Sequence, residues 1–109
     1  MFATIRTYTP KPNSMNTASM EQLRRQIHDQ FLPMAQKIEG FHSYYAVNAG
    51  NRKLITVSVF ETQKGCAEST RRAAEFIKKT PLPFDTGTPE VIEGDVITAA
   101  EVGREVVAH

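Results

Sequence analysis

Three features of the sequence predict an α+β fold in which a four-stranded antiparallel sheet carries two helices on one face. Segments of strand period begin near Phe2, Phe41, Lys53 and Glu90, with apolar residues alternating or β-branched and aromatic residues concentrated. Two segments of helical period, Ser19 to about Ile38 and Thr62 to about Lys79, fall between the first and second and between the third and fourth of these. The middle two strands are joined by a turn centred on Gly50-Asn51, a hairpin signal.

The first strand, Phe2 to Tyr8, alternates Ala3, Ile5 and Thr7 against Phe2, Thr4, Arg6 and Tyr8. Thr9 to Ser14, with two prolines and small polar residues, ends it. Met20, Leu23, Ile27, Phe31, Met34 and Ile38 then form one apolar helical stripe. Ser19 with Gln22 has capping-box form, and Asn16 or Thr17 offers an earlier start. Pro33 removes a backbone donor late in the helix and predicts a kink or break near Leu32.

In the hairpin, Gly50 at the first central turn position predicts a type II′ turn. An even-length loop pairs Val47 with Leu54, Tyr45 with Thr56, Ser43 with Ser58 and Phe41 with Phe60, all on one face, leaving Ile55, Val57, Val59, His42, Tyr44 and Ala46 on the other. Both faces are apolar, so each requires a cover. Thr62 caps the second helix, whose expected buried stripe is Ala67, Thr70, Ala74 and Ile77. Thr80 to Pro89 is a proline-rich loop long enough to reach over a pocket. The fourth strand, Glu90 to about Ala99, places Ile92, Gly94 and Val96 opposite in facing to Val91, Glu93, Asp95 and Ile97, with Gly94 marking a bulge or a close helix approach. The tail, residues 102–109, is frayed or is a strand exchanged with a partner.

The order of elements is that of the ferredoxin-like βαββαβ unit, and right-handed crossovers put both helices on one side. The uncovered face is then expected to show Phe2, Tyr8, Tyr45, Val47, Leu54, Phe60, Val91 and Ile97, too large an apolar patch to leave in water, which predicts a homodimer with sheets face to face.

The 109 residues form a single domain by length, with 40% hydrophobic and 23% charged residues. A net charge of +1 argues against a nucleic-acid partner or an acidic membrane surface, and Arg24-Arg25, Arg71-Arg72 and Lys78-Lys79 read as solvated helix faces. The single cysteine, Cys66, cannot form an intrachain disulfide, and the first residues have neither the basic region nor the apolar run of a signal peptide, so a cytoplasmic protein without a membrane span is expected.

Several stretches, Gly40-Phe41 with Tyr44-Tyr45, the Gly-Asn turn, Val57 to Glu61, Ala67 to Arg71 and Ala73 to Phe76, resemble the dimeric α+β barrel superfamily, and within it the small stand-alone antibiotic-biosynthesis-monooxygenase-like proteins. The resemblance runs from Phe2 to about Val96. It implies a small-molecule-binding dimer without a cofactor, related to oxygenases that act on polycyclic phenols and to haem-degrading enzymes. Two departures bear on activity. The oxygenases tend to carry tryptophan where this chain has Phe60, and there is no histidine between His42 and His109 to serve as the haem ligand found on the second helix of the haem-degrading members.

A cleft on the sheet face away from the helices is expected to be lined by Arg6, Tyr8, Ser43, Tyr45, Thr56, Ser58, Phe60, Glu93 and Asp95. Arg6 is the candidate for an anionic or phenolate oxygen, Tyr8 and Tyr45 for aromatic walls with hydroxyl donors, and Asp95 or Glu93 for a base. In catalytic terms this assigns Arg6, Tyr45 and Asp95, with Tyr8, Ser43, Thr56, Ser58, Phe60 and Glu93 binding the ligand. A structural reading stands beside it, in which Arg6 pairs with Glu93 or Asp95 across adjacent strands and Tyr8, Tyr45 and Phe60 form dimer core. His28 and His42 read as packing histidines, with no metal-ligand spacing, and Cys66, in the first turn of the second helix, as a structural thiol whose pKa the helix dipole could lower.

Overall fold

The computed structural model describes residues 1–101 and the backbone of residues 104–106. Strands β1 (Phe2–Tyr8), β2 (Phe41–Gly50), β3 (Lys53–Phe60) and β4 (Glu90–Asp95) form an antiparallel sheet in the order β2-β3-β1-β4, the ferredoxin-like arrangement expected. The first helical run comprises α1 (Thr17–Gln26), a π-helical turn (Ile27–Phe31) and α2 (Leu32–Ala35); α3 spans Gln63–Lys79.

Asn16 caps α1, its side chain accepting from the Ser19 amide while Ser19 returns a hydrogen bond to the Asn16 amide, so the earlier of the two expected starts is used. The break caused by Pro33 is taken up one turn ahead of it, where the Leu32 amide bonds to the Ile27 carbonyl. Thr62 caps α3 by accepting from the Gly65 amide. The buried residues of α3 are Gly65, Cys66, Ser69 and Ala73, whereas Ala67 and Ala74 are exposed; Thr70 and Ile77 are half-buried. The stripe lies one residue earlier than expected because it ends on Phe76, whose ring packs 5.5 Å from that of Phe31 and brings more apolar area than either alanine.

The hairpin departs from the expected register. Its central turn residues are Asn51 and Arg52, both at positive φ as a type I′ turn requires, and bulges lie between Phe41 and Ser43 and between Asn48 and Gly50. Phe41 still faces Phe60, but Tyr44 now faces Ser58, Ala46 faces Thr56 and Asn48 faces Leu54, while Tyr45 and Val47 pair with Val57 and Ile55. The bulge at His42 lets Phe41 and Tyr44, three residues apart, point the same way, and both pack under the helices.

The helices cover the face carrying Thr4, Arg6, Tyr8, Leu54, Thr56, Ser58 and Phe60, the side expected to be bare. Tyr8, Leu23, Leu54 and Phe84 form one core cluster, and Phe31, Ala35 and Ala73 another. Each large side chain so buried contributes about 1.5–3 kcal/mol. The opposite face shows Ile5, Ile55, Val57 and Val59 half-exposed, with Tyr45, Val47 and Ile92 exposed. On the covered face Tyr8 and Leu54 pack against Leu23 of α1 and Phe84 of the Pro-rich loop.

β4 stops at Asp95, where the Val96 amide bonds back to the Met1 carbonyl, and Gly94 sits in regular register with Ala3, with no atom near an added Cβ. The expected bulge is absent. β5 (Ala99–Glu101) and β6 (Arg104–Val106) pair as a separate antiparallel ribbon within the chain. The rest of the expected tail, residues 102–103 and 107–109, lies outside the described residues.

Candidate functional site

Arg6 occupies the middle of β1, opposite Thr56 on β3 and Val91 on β4, and its side chain is 1% exposed. The guanidinium is held by hydroxyls. Nε donates to Thr56 Oγ1 at 3.0 Å, Nη2 to Ser58 Oγ at 2.6 Å, and Nη1 to Thr70 Oγ1 at 3.0 Å and to Ser69 Oγ at 3.5 Å. Ser69 in turn donates to the Cys66 carbonyl at 2.8 Å, which leaves its lone pairs for Arg6. Among the described residues these bonds engage four of the five N–H donors.

Among the described residues no carboxylate pairs with Arg6. The ion pairs of the arginines lie on exposed helix faces, Arg24 with Glu21, Arg71 with Glu68 and Glu75, and Arg72 with Glu68. The expected cross-strand pair is not formed: Glu93 stands opposite Thr4 and Asp95 opposite Phe2, both exposed on the edge strand. A buried guanidinium without a counter-charge costs several kcal/mol, and four neutral hydroxyls offset only part of that.

Around this group a small cavity of about 40 Å³ separates sheet from helices. Arg6, Tyr8, Tyr44 and Thr56 form its floor, Leu23, Ile27 and Phe31 one wall, Ala73, Phe76 and Ile77 the other, and Leu82 and Thr86 close it from the proline-rich loop. That loop therefore does reach over a pocket, and it is tied to α1 by Gln26 Nε2 donating to the Pro81 carbonyl at 2.8 Å. Two larger spaces adjoin the cavity. A groove of about 920 Å³ runs between α1 and β2 and shares Leu23, Ile27, Tyr44 and Leu54 with it. A cleft of about 250 Å³ between α3 and Gly87–Pro89 shares Arg6, Tyr8 and Ile77.

Burial pushes the phenols of Tyr8 and Tyr44 up in pKa, and the neighbouring Arg6 only partly counters it, so both remain hydroxyl donors at neutral pH. Burial also pushes the Cys66 thiol up, reinforced by the Glu93 charge, in keeping with the structural thiol expected and against the lowering that the helix dipole could give. His28 is exposed beside Asp29 at 3.0 Å rather than packed, and His42 is half-buried with Nε2 3.7 Å from Glu101 Oε1. Among the described residues no three His, Cys, Asp or Glu side chains are grouped to hold a metal ion.

Of the residues singled out in the sequence, Arg6, Tyr8 and Thr56 meet in the cavity, and Ser58 holds Arg6 from below. Phe60 shares their face but is fully buried against Phe41 and Gly65. Tyr45 and Ser43 lie on the other face of the sheet, a consequence of the bulged register, so the trio Arg6, Tyr45 and Asp95 is not assembled. Tyr44 takes the place expected for Tyr45. Ser69 was not anticipated, and Thr70 was expected on the buried stripe of its helix but not as a partner of Arg6; two hydroxyls at the buried edge of a helix opposite a strand arginine are the signal that marks them.

No protein-family model matches the chain, and no curated protein sequence matches it. Solved structures do. The monooxygenase ActVA-Orf6 of Streptomyces coelicolor, in complex with nanaomycin D, is 15% identical with a TM-score of 0.64 over 85% of this chain and 84% of that one. The NE2512 protein of unknown function from Nitrosomonas europaea is 17% identical with a TM-score of 0.67 over 92% of each. A MhuD variant with two manganese protoporphyrin IX molecules bound per active site is 14% identical with a TM-score of 0.58 over 89% of this chain and 95% of that one. The chain has the α+β fold of the antibiotic-biosynthesis-monooxygenase-like proteins. No helix among the described residues is long and apolar enough to cross a membrane.

Proposed function

We propose that the protein is a homodimeric barrel that binds an aromatic or hydrophobic small molecule and holds its negative charge at Arg6. The observation that carries this reading is the buried guanidinium with no carboxylate beside it. A position that served packing alone would be filled more cheaply by an apolar side chain of the same length. An anion arriving from solvent completes the charge and meets the hydroxyls of Tyr8 and Tyr44. Support for an aromatic ligand comes from neighbours of the same fold, one bound to nanaomycin D and one to a porphyrin. The homodimer rests on the apolar open face of the sheet, where Tyr45, Val47 and Ile92 are exposed together.

Cofactor-independent monooxygenation of a phenolic compound is the finer reading. In it the ionised ligand passes an electron to oxygen, and the protein supplies desolvation and an anion-stabilising donor. Among the described residues the cavity lining holds no carboxylate or imidazole to take the phenolic proton, so in this reading the ligand's own acidity provides the charge. One observation favours a non-enzymatic dimer instead: the inner cavity of about 40 Å³ has little more room than one water occupies in the liquid, so the ring system of a ligand has to sit in an adjoining space.

Native mass spectrometry of freshly purified protein, with a denatured spectrum beside it, tests the binding reading. A dimer carrying a released small-molecule mass is expected, and titration of electron-rich phenols with an oxygen electrode then reads turnover. A protein that neither carries nor takes up any aromatic compound, with Arg6→Met indistinguishable from the parent in thermal shift, overturns it.

A further inference from the structure

The cleft between α3 and Gly87–Pro89 differs in kind from the groove beside α1. Arg6 lines the cleft and not the groove. Lys78, in the last turn of α3, lines the same cleft together with Tyr8, Thr70 and Thr88, and among the described residues no carboxylate joins them. The groove instead carries Glu21 and Arg24, which neutralise each other at 2.6 Å. Thr70 accepts from Arg6 Nη1 at 3.0 Å and lies 3.4 Å from Thr4 Oγ1, a contact in which either hydroxyl can donate. The cleft thus brings together two cations and three hydroxyl side chains, and Arg6 lines both it and the inner cavity.

We infer that the ligand presents a carboxylate to Arg6 and enters through this cleft past Lys78, rather than presenting an ionised phenol from the α1 groove. The inference rests on the small-molecule reading above and names the anion it requires. The tyrosines on the spot support it: their phenols lie beside Arg6 and stay protonated because burial outweighs the cation, and a ligand phenol in the same place meets the same burial. A carboxylic acid ionises about six pH units lower and keeps its charge there. The cleft of about 250 Å³ admits a carboxylated arm or a single ring, with any larger ring system trailing outward.

The test is isothermal titration of the wild-type protein with one- and two-ring aromatic carboxylates, each run beside its primary amide and the phenol of the same skeleton. The acids are expected to bind roughly 10- to 150-fold more tightly than their amides, the worth of a hydrogen bond to a buried charge. Lys78→Gln weakens the acids by about 2- to 5-fold, an effect that disappears at high salt, and leaves the amides unchanged. Arg6→Met removes the preference for the acid, and Lys78→Gln keeps the test decisive if that variant fails to fold. Amides or phenols that bind as tightly as the acids overturn the inference while leaving the small-molecule reading intact. Acids that bind with no loss in Lys78→Gln overturn the entry route. An absence of binding by every compound overturns the small-molecule reading itself, and the inference with it.

Discussion

Tyr44 and Tyr45 are adjacent in sequence and lie on opposite faces of the sheet, and this makes Tyr45→Asp a sharp test of assembly. A tyrosine side chain exposes about 200 Å², and Tyr45 is 60% exposed in the single chain. Covering it with a partner removes about 120 Å² from water, worth about 3 kcal/mol at ~25 cal/mol per Å². In a two-fold interface the residue counts twice, so about 6 kcal/mol, or some four orders of magnitude in the dimer dissociation constant, is the upper limit of what Tyr45→Asp removes. Apposed aspartates add repulsion to the lost area. Sedimentation velocity from submicromolar to ~100 µM protein reads the change directly. Tyr44→Leu, beneath the helices, is expected to leave assembly untouched. A wild-type chain that is monomeric at the highest concentration, or a Tyr45→Asp variant that dimerises as tightly as the parent, refutes the reasoning from the open face.

A Cβ at Gly65 would stand 2.8 Å from Phe60 Cδ2 and 3.0 Å from its Cβ, with Phe60 fully buried. Gly65→Ala is therefore expected to cost about 1–3 kcal/mol of overpacking against a helix gain below about 1 kcal/mol; a thermal melt showing an unchanged or raised Tm sinks that argument. Tyr8 and Tyr44 have folded pKa values above the 10.0 of the free side chain, so the folded state holds their protons where the unfolded chain has lost them, and stability, full below pH ~10, falls as pH rises beyond it. Urea denaturation between pH 8 and 11 should show that fall, and Tyr44→Phe should flatten it; an identical slope in the variant contradicts the assignment. Cys66, fully buried with its pKa raised by burial, should react with a thiol reagent far more slowly in native protein than in denaturant, and equal rates count against its placement.

The order of elements was legible because periodicity and turn residues are local. Asn16, Thr62 and Pro33 each mark an event in their own vicinity, and each lies where the helices start or bend. Register is another matter. The bulges at His42 and Ala49 leave no trace in composition, yet the one at Ala49 carries Tyr44 inward and Tyr45 outward, and the one at His42 turns Phe41 to the same side as Tyr44. Nor could alternation say which side the helices cover, since Tyr8, Leu54 and Phe60 on one face are as apolar as Ile5, Ile55 and Val57 on the other. Arg6, Thr56 and Ser58 were legible as a group because they alternate on neighbouring strands. Ser69 and Thr70 completed the cradle from a helix more than sixty residues away along the chain, a distance at which only the folded packing brings side chains together.

The π-helical turn at Ile27–Phe31 also settles a question of phase. Leu23, Ile27, Phe31 and Ala35 recur every four residues and all face the core. In an uninterrupted α-helix of 3.6 residues per turn, twelve residues overshoot three full turns by about 120°, which would swing Ala35 away from α3 when Leu23 points at Tyr8. The wider turn absorbs most of that overshoot. It follows that the spacing from Leu23 to Ala35 tolerates a change in length in one place: removing a single residue from 27–31 converts the wide turn to an ordinary one and keeps both ends facing inward, whereas the same deletion within Thr17–Gln26 rotates everything before it by about 100° and strips Met20 from the core.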